Sequence, residues 1–140
     1  MALILQTPRL LVREFSLADA PALQLICGNR RTMRHVGDGT TLDLARCTAW
    51  IRVSLRDYAG KGYGAWAVIE RESGEFIGYA GLVHAPDRGE PEIIYAFRQA
   101  WWGRGVATEL APAILRHGLT RCGLPRIIAT IDPENAASLK

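Results

Sequence analysis

The stretch Tyr95-Ala96-Phe97-Arg98-Gln99-Ala100-Trp101-Trp102-Gly103-Arg104-Gly105-Val106-Ala107-Thr108-Glu109-Leu110 limits the folds open to this chain more than any other. It begins as an apolar strand, passes through a turn with two glycines around one arginine, and continues as a helix. Gly103 and Gly105 can take positive φ and let another group approach the backbone closely. The helix that follows aims its first N–H groups and the positive end of its dipole back at the turn. A phosphate is well held in such a place, and Arg104 adds a full charge on a flat fork of donors. By itself a Gly-x-Gly turn is equally an ordinary strand-to-helix connection. No third glycine follows Gly105 as a dinucleotide fingerprint requires, and no Gly-Lys-Ser/Thr of a nucleotide-hydrolase loop is present.

The formal charge of the 140 residues is +3, with a sequence pI of about 9.0. That excess suits a small anionic ligand. The longest basic run is Arg30-Arg31, so no stripe for nucleic acid is present. Cys27, Cys47 and Cys122 are far apart and odd in number, with no Cys-x-x-Cys pair. They read as small buried hydrophobes in a reducing, cytoplasmic setting rather than as a disulfide framework. His35, His84 and His117 are scattered, and no spacing suggests a metal. The N-terminus lacks a charged segment and a cleavage site, and no apolar run approaches the ~18 residues that span a membrane. The length suits one domain over residues 1–140.

Along the chain, residues 10–15 read as a strand. Ser16 and Asp19 form a capping-box start for a helix that runs to Cys27, with Leu23 and Ile26 inward and Gly28 as the stop. Residues 29–40 read as loop around Gly37-Asp38-Gly39. Thr41 is the expected cap of a second helix with Leu42, Ala45, Ala49 and Val53 in a row, Trp50 as packing, and an end at Gly60-Lys61-Gly62. Strands over 63–70 and 75–83 join through Glu72-Ser73-Gly74. Gly78 and Gly81 inside the second imply a bulge or a close backbone approach. A turn at 84–89 and a strand over 91–97 follow, and residues 98–102 break the alternation as a bulge would. The next helix buries Val106, Leu110 and Ile114 beside Ala107, Ala111 and Leu115, and ends at Gly118 or Gly123. Pro112 within it predicts a kink, at a cost of ~3 kcal/mol in an unadapted helix, and His117 a favourable contact with the helix dipole. Residues 126–131 read as a last strand, and 132–138 start another helix.

Glu92-Ile93-Ile94-Tyr95-Ala96-Phe97, followed by Gly103-Arg104-Gly105-Val106-Ala107-Thr108-Glu109, resembles motif A of the GNAT N-acetyltransferase superfamily. It looks most like the branch that includes ribosomal-protein N-terminal acetyltransferases. Thr7-Pro8-Arg9-Leu10-Leu11-Val12-Arg13 resembles that family's T-x-R-L-x-L-R opening. Trp66-Ala67-Val68 with Gly74 to Leu82 resembles its hairpin, and Asn135-Ala136-Ala137-Ser138 its N-x-x-S. Ala100 stands where the family has a polar residue.

The resemblance implies an α/β fold of the α+β type, acyl-CoA N-acyltransferase-like, with a mixed, mostly antiparallel sheet and helices on both faces. By this resemblance the chain stops short of the family's usual last helix and strand: either it is truncated or something else, such as the second copy of a homodimer, covers the exposed edge. The implied co-substrate is acetyl-CoA, without a metal. Its pyrophosphate would sit on the turn, and its binding residues would be Phe97, Trp102, Gly103, Arg104, Gly105, Val106, Ala107, Thr108 and Asn135. A bulge would splay the strand and free an N–H near Phe97 for the thioester oxygen. Glu92 is the candidate general base toward a primary amine, a protein N-terminus or a small molecule, and is otherwise a strand-end charge. Ser138 is the candidate proton donor to sulfur, and is otherwise a helix-start hydroxyl. The rival readings are a non-catalytic acyl-CoA-binding or sensing domain and a nucleic-acid-binding domain.

Overall fold

In the computed structural model, residues 2–33, 41–84 and 91–128 are described. Five strands, β1 (Leu3–Gln6), β2 (Leu10–Arg13), β3 (Ala65–Glu70), β4 (Phe76–His84) and β5 (Pro91–Phe97), form one sheet in chain order. Every neighbouring pair is antiparallel. One parallel link extends the sheet: Ile93 N–H donates to the Ile128 carbonyl and Ile128 N–H to that of Pro91, each at 2.9 Å. The helices are α1 (Ala20–Cys27), α2 (Arg30–Met33), α3 (Leu44–Lys61) and α4 (Val106–Thr120).

Strand alternation divides the core in two. Leu10, Val12, Trp66, Val68, Ala80, Leu82 and Ile93 point to one face, where α4 lays down Val106, Leu110 and Ile114. Ala65, Ala67, Ile69, Tyr79 and Ala96 point to the other, beneath Leu23 and Ile26 of α1 and Cys47 and Ile51 of α3. Each fully buried Leu or Ile contributes about 1.5–3 kcal/mol. The mixed, mostly antiparallel sheet with helices on both faces is the architecture the motifs imply.

Several local expectations differ. β1 was not foreseen, because four residues of Leu-Ile-Leu-Gln carry no strand signal apart from their partner β2. β2 ends at Arg13, and Phe15 turns down between Trp50 and Phe76, at ring-centroid distances of 6.1 and 6.4 Å. Residues 30–33 form the one-turn helix α2 instead of loop, because the Asn29 side chain accepts from the N–H groups of Arg31 (2.9 Å) and Thr32 (3.2 Å). The Gly37-Asp38-Gly39 turn lies outside the described residues. Asp43, not Thr41, caps α3, its Oδ1 accepting from Arg46 N–H at 2.8 Å.

The buried row of α3 is Cys47, Ile51 and Ser54, while Ala45, Ala49 and Val53 face solvent. Ser54 enters the core because its hydroxyl donates to the Trp50 carbonyl at 3.0 Å. Tyr58, one turn on, joins three elements: its hydroxyl accepts from Phe15 N–H at 3.1 Å and donates to the Ala65 carbonyl. At Gly78 an added Cβ would collide with the Ala96 carbonyl and the Phe97 ring, and at Gly81 with the Gly64 carbonyl. Close approach is therefore the reason for both glycines. α4 runs on through Pro112, which faces solvent together with Thr108, whose carbonyl it leaves without a helical donor. Gly118 is buried inside α4, which ends at Thr120.

Candidate active site

β5 keeps register with β4 from Pro91 to Phe97, and Arg98 N–H still donates to the Ile77 carbonyl at 2.8 Å. The chain then winds into a 3₁₀ turn, Gln99–Trp101. The broken alternation at 98–102 is thus this turn and not a bulge against β4. Trp102 follows, 47% exposed, its indole Nε1 donating to the Phe97 carbonyl at 3.0 Å.

Gly103 and Gly105 both adopt positive φ, 74° and 75°. Gly105 caps α4, and the first helical bond runs from Glu109 N–H to the Gly105 carbonyl at 3.0 Å. The N–H groups of Val106, Ala107 and Thr108 therefore have no acceptor within the helix. The space above the turn is open: a Cβ on Gly103 would meet nothing within 4 Å, and one on Gly105 only Arg9 Nη2, at 3.7 Å. The Arg104 guanidinium lies over the Trp101 ring, 4.6 Å from its centre.

The turn is buttressed from the start of the chain. Glu109, in the first turn of α4, accepts from the Thr7 hydroxyl, from Arg9 N–H at 3.0 Å and from Arg9 Nε at 2.6 Å. Burial pushes its carboxyl up, but the bonds from Thr7 and Arg9 outweigh that and hold it below the usual carboxylate value. The Thr-x-Arg pattern, read from sequence as a strand opening, is this clamp.

The bonds of Arg98 to β4 and of Ile93 to Ile128 fix which way each residue of β5 points. In an antiparallel pair the direction alternates. The main-chain groups of Tyr95 and Phe97 consequently face the same side as those of Ile93, away from β4. Regular alternation alone turns Phe97 N–H to that edge, and no bulge is needed. The Ile128 segment and β5 thus meet at the beginning of β5, and the glycine turn lies at its far end.

Glu92 is half-buried at the start of β5, opposite Val83. Its place in the alternation puts it with Ile94 and Ala96 on the α1–α3 face. Tyr63 and His84 form a pair that sequence reasoning missed, with Oη and Nε2 2.6 Å apart. They are twenty-one positions apart, and no local signal joins them. His84 is still in β4, opposite Pro91 and on the α4 face, so it and Glu92 point to opposite sides of the sheet. His117 packs edge-on to Trp66 at 5.5 Å. Burial first, then Arg121, lowers its pKa, which works against the charged form that the expected dipole contact favours. Asn135, Ser138 and His35 lie outside the described residues. Among the described residues no group of three or more His, Cys, Asp or Glu is placed to hold a metal ion, and no helix is long and apolar enough to cross a membrane.

A mostly antiparallel sheet with helices on both faces, leading into an open glycine turn at a helix start, is the acyl-CoA N-acyltransferase fold. The acetyltransferase (GNAT) domain matches residues 9–140, and the chain belongs to that family, whose chemistry is acetyl transfer. YkkB, an uncharacterized protein of Bacillus subtilis (strain 168), is 32% identical over 100 residues, 70% of this chain and 58% of YkkB. The chain thus spans less than two thirds of that relative. The crystal structure of an acetyltransferase from Agrobacterium tumefaciens str. C58 is 29% identical with a TM-score of 0.84, over 99% of this chain and 79% of that one. An acetyltransferase from Salmonella typhimurium that modifies the N-terminal serine of ribosomal protein L7/L12 shares the fold, with a TM-score of 0.80 at 17% identity, over 99% and 80% of the two chains.

Proposed function

We propose that this protein is a single-domain, acetyl-CoA-dependent N-acetyltransferase acting on a primary amine, a protein N-terminus or a small molecule. The observation that carries the reading is the open start of α4, where two glycines at positive φ stand beside three N–H groups without helical acceptors. A pyrophosphate is the kind of group such a start holds best.

In this reading the backbone from Gly103 to Thr108 holds the pyrophosphate, flanked by Arg104 and Trp102. The outward main-chain groups of Tyr95 and Phe97 hold the extended arm, and Asn135 steadies it. Acetyl-CoA, when bound, supplies an acetyl group activated as a thioester. An outward main-chain N–H of β5 donates to the oxygen on which charge develops. Glu92 accepts the proton of the attacking amine through water. The amide C–N bond forms as the C–S bond breaks, and Ser138 gives a proton to the departing sulfur and regains one from solvent, to which Glu92 releases the amine's proton. No covalent link to the protein is required. The reading sets the protein in the reducing cytoplasm, where the thiols of Cys27 and Cys47, buried against each other between α1 and α3, stay free.

Calorimetric titration with acetyl-CoA, with ATP as control, tests the reading, followed by mass spectrometry on a panel of amines. Micromolar acetyl-CoA binding, far weaker ATP binding and mass gain on a primary amine are expected. A folded protein that does not bind acetyl-CoA overturns the reading. Binding without turnover on any amine favours the sensing domain.

A further inference from the structure

Arg9 has more to do than close a strand opening. Its guanidinium is fixed at two of three nitrogens: Nε donates to Glu109 Oε1 at 2.6 Å and Nη1 to the Arg104 carbonyl at 2.9 Å. Its own N–H is held by Glu109 Oε2 at 3.0 Å. The third nitrogen, Nη2, stands 3.7 Å from the point a Cβ on Gly105 would occupy. The side chain is 44% exposed, and Nη2 is the nitrogen that stands beside the turn. An arginine so anchored has given up most of its rotamer freedom before any ligand arrives, and its remaining donors are already aimed.

The charges around the turn give the same answer. Glu109 is ionised in the first turn of α4, where it would repel an anion at the helix start. Arg9 cancels that charge and still presents a donor. Arg104, the cation that the local motif supplies, has its guanidinium face against Trp101. We propose that Arg9, ninety-five positions before Arg104 in the chain, is the side-chain cation of the pyrophosphate site. The proposal rests on the acetyl-CoA reading and adds to it a residue outside the glycine motif.

The test is the affinity of wild type and Arg9→Ala for three ligands: acetyl-CoA, its 3′-dephospho form, and S-acetylpantetheine, which lacks phosphate. A charge-assisted bond to a pyrophosphate predicts a loss of roughly tenfold to hundredfold for the first two alike. S-acetylpantetheine should bind unchanged. Unchanged acetyl-CoA affinity overturns the proposal. An equal loss for S-acetylpantetheine also overturns it, since it makes Arg9 a strut only. A loss confined to the ligand bearing the 3′-phosphate overturns the pyrophosphate assignment. Should Arg9→Ala not fold, Arg9→Lys is read by the same pattern, with a smaller loss because the charge is kept and the fork is not. A wild type that fails to bind acetyl-CoA overturns the functional reading itself, which is a different result from a selective loss in the variant.

Discussion

Arg13 holds Asp19 by both prongs of its guanidinium, Nη1 to Oδ2 at 2.8 Å and Nη2 to Oδ1 at 2.9 Å. Oδ2 also accepts from Ser16 N–H at 2.7 Å. The last residue of β2 is thereby tied to the turn that starts α1, and Asp19 is only 8% exposed. Burial pushes its carboxyl up, but the bonds from Arg13 and Ser16 outweigh this and the net shift is down.

Asp19→Asn should therefore cost about 1.5–3 kcal/mol of stability in a urea titration at neutral pH. A depressed carboxyl contributes stability that is complete above its unfolded value, 3.8, and is lost as pH falls through the lower folded value. The gap between variant and wild type should close in that acid window. A gap that persists there would mean the pair is not the source.

His117 titrates below 6.5, its ordinary value, because burial and then Arg121 disfavour the imidazolium. The unfolded chain takes up the proton first, so His117 withdraws stability as pH falls from 6.5 through its folded value. An NMR titration of the ring should give a midpoint under 6.5, and His117→Gln should flatten the melting temperature across that window.

The glycines of β4 and α4 should respond differently to alanine. In Gly78→Ala the new methyl meets the Ala96 carbonyl, which the sheet holds in place, and a loss of about 3 kcal/mol is expected. In Gly118→Ala it meets the ends of two flexible side chains, Ile127 Cδ1 at 2.5 Å and Leu82 Cδ1 at 2.8 Å. Helix propensity offsets that crowding, leaving a change within about 1 kcal/mol. Thermal melts of both variants decide the matter.

Gly105→Glu should remain folded and lose acetyl-CoA binding. The residue's φ of 75° costs a non-glycine about 1–2 kcal/mol. The carboxylate would fill the anion's place, within reach of Arg9 Nη2. Calorimetry with acetyl-CoA gives the answer, and retained affinity would sink the pyrophosphate assignment.

Glu92→Gln should lower kcat by about 10²–10⁴ and leave the acetyl-CoA Kd unchanged. A variant with wild-type turnover would return Glu92 to the role of a strand-end charge.

The sheet was legible where the sequence alternates and the turns are marked by glycine, as at residues 65–97, and so was the helix start at Gly105. What escaped was set by side-chain bonds to the backbone, some of them local, and by partners distant in sequence. The inward row of α3 was misread because Ser54 and Tyr58 enter the core through hydrogen bonds, while Ala49 and Val53 are apolar and exposed. The glycine turn was visible as a candidate anion site, yet its clamp was not, since Glu109 is a hundred positions from Arg9. His84 and Tyr63 are likewise joined only by the sheet.

That hundred-residue separation bears on how the chain is made. A chain emerging from the ribosome presents Thr7 and Arg9 long before Glu109 exists, so their clamp waits for about a hundred further residues. Long-range closure of this kind slows folding and leaves strand edges uncovered in the meantime. The turn proposed to receive the cofactor gains its buttress only after Glu109 has emerged, and until then Thr7 and Arg9 lack the partner that joins them to it.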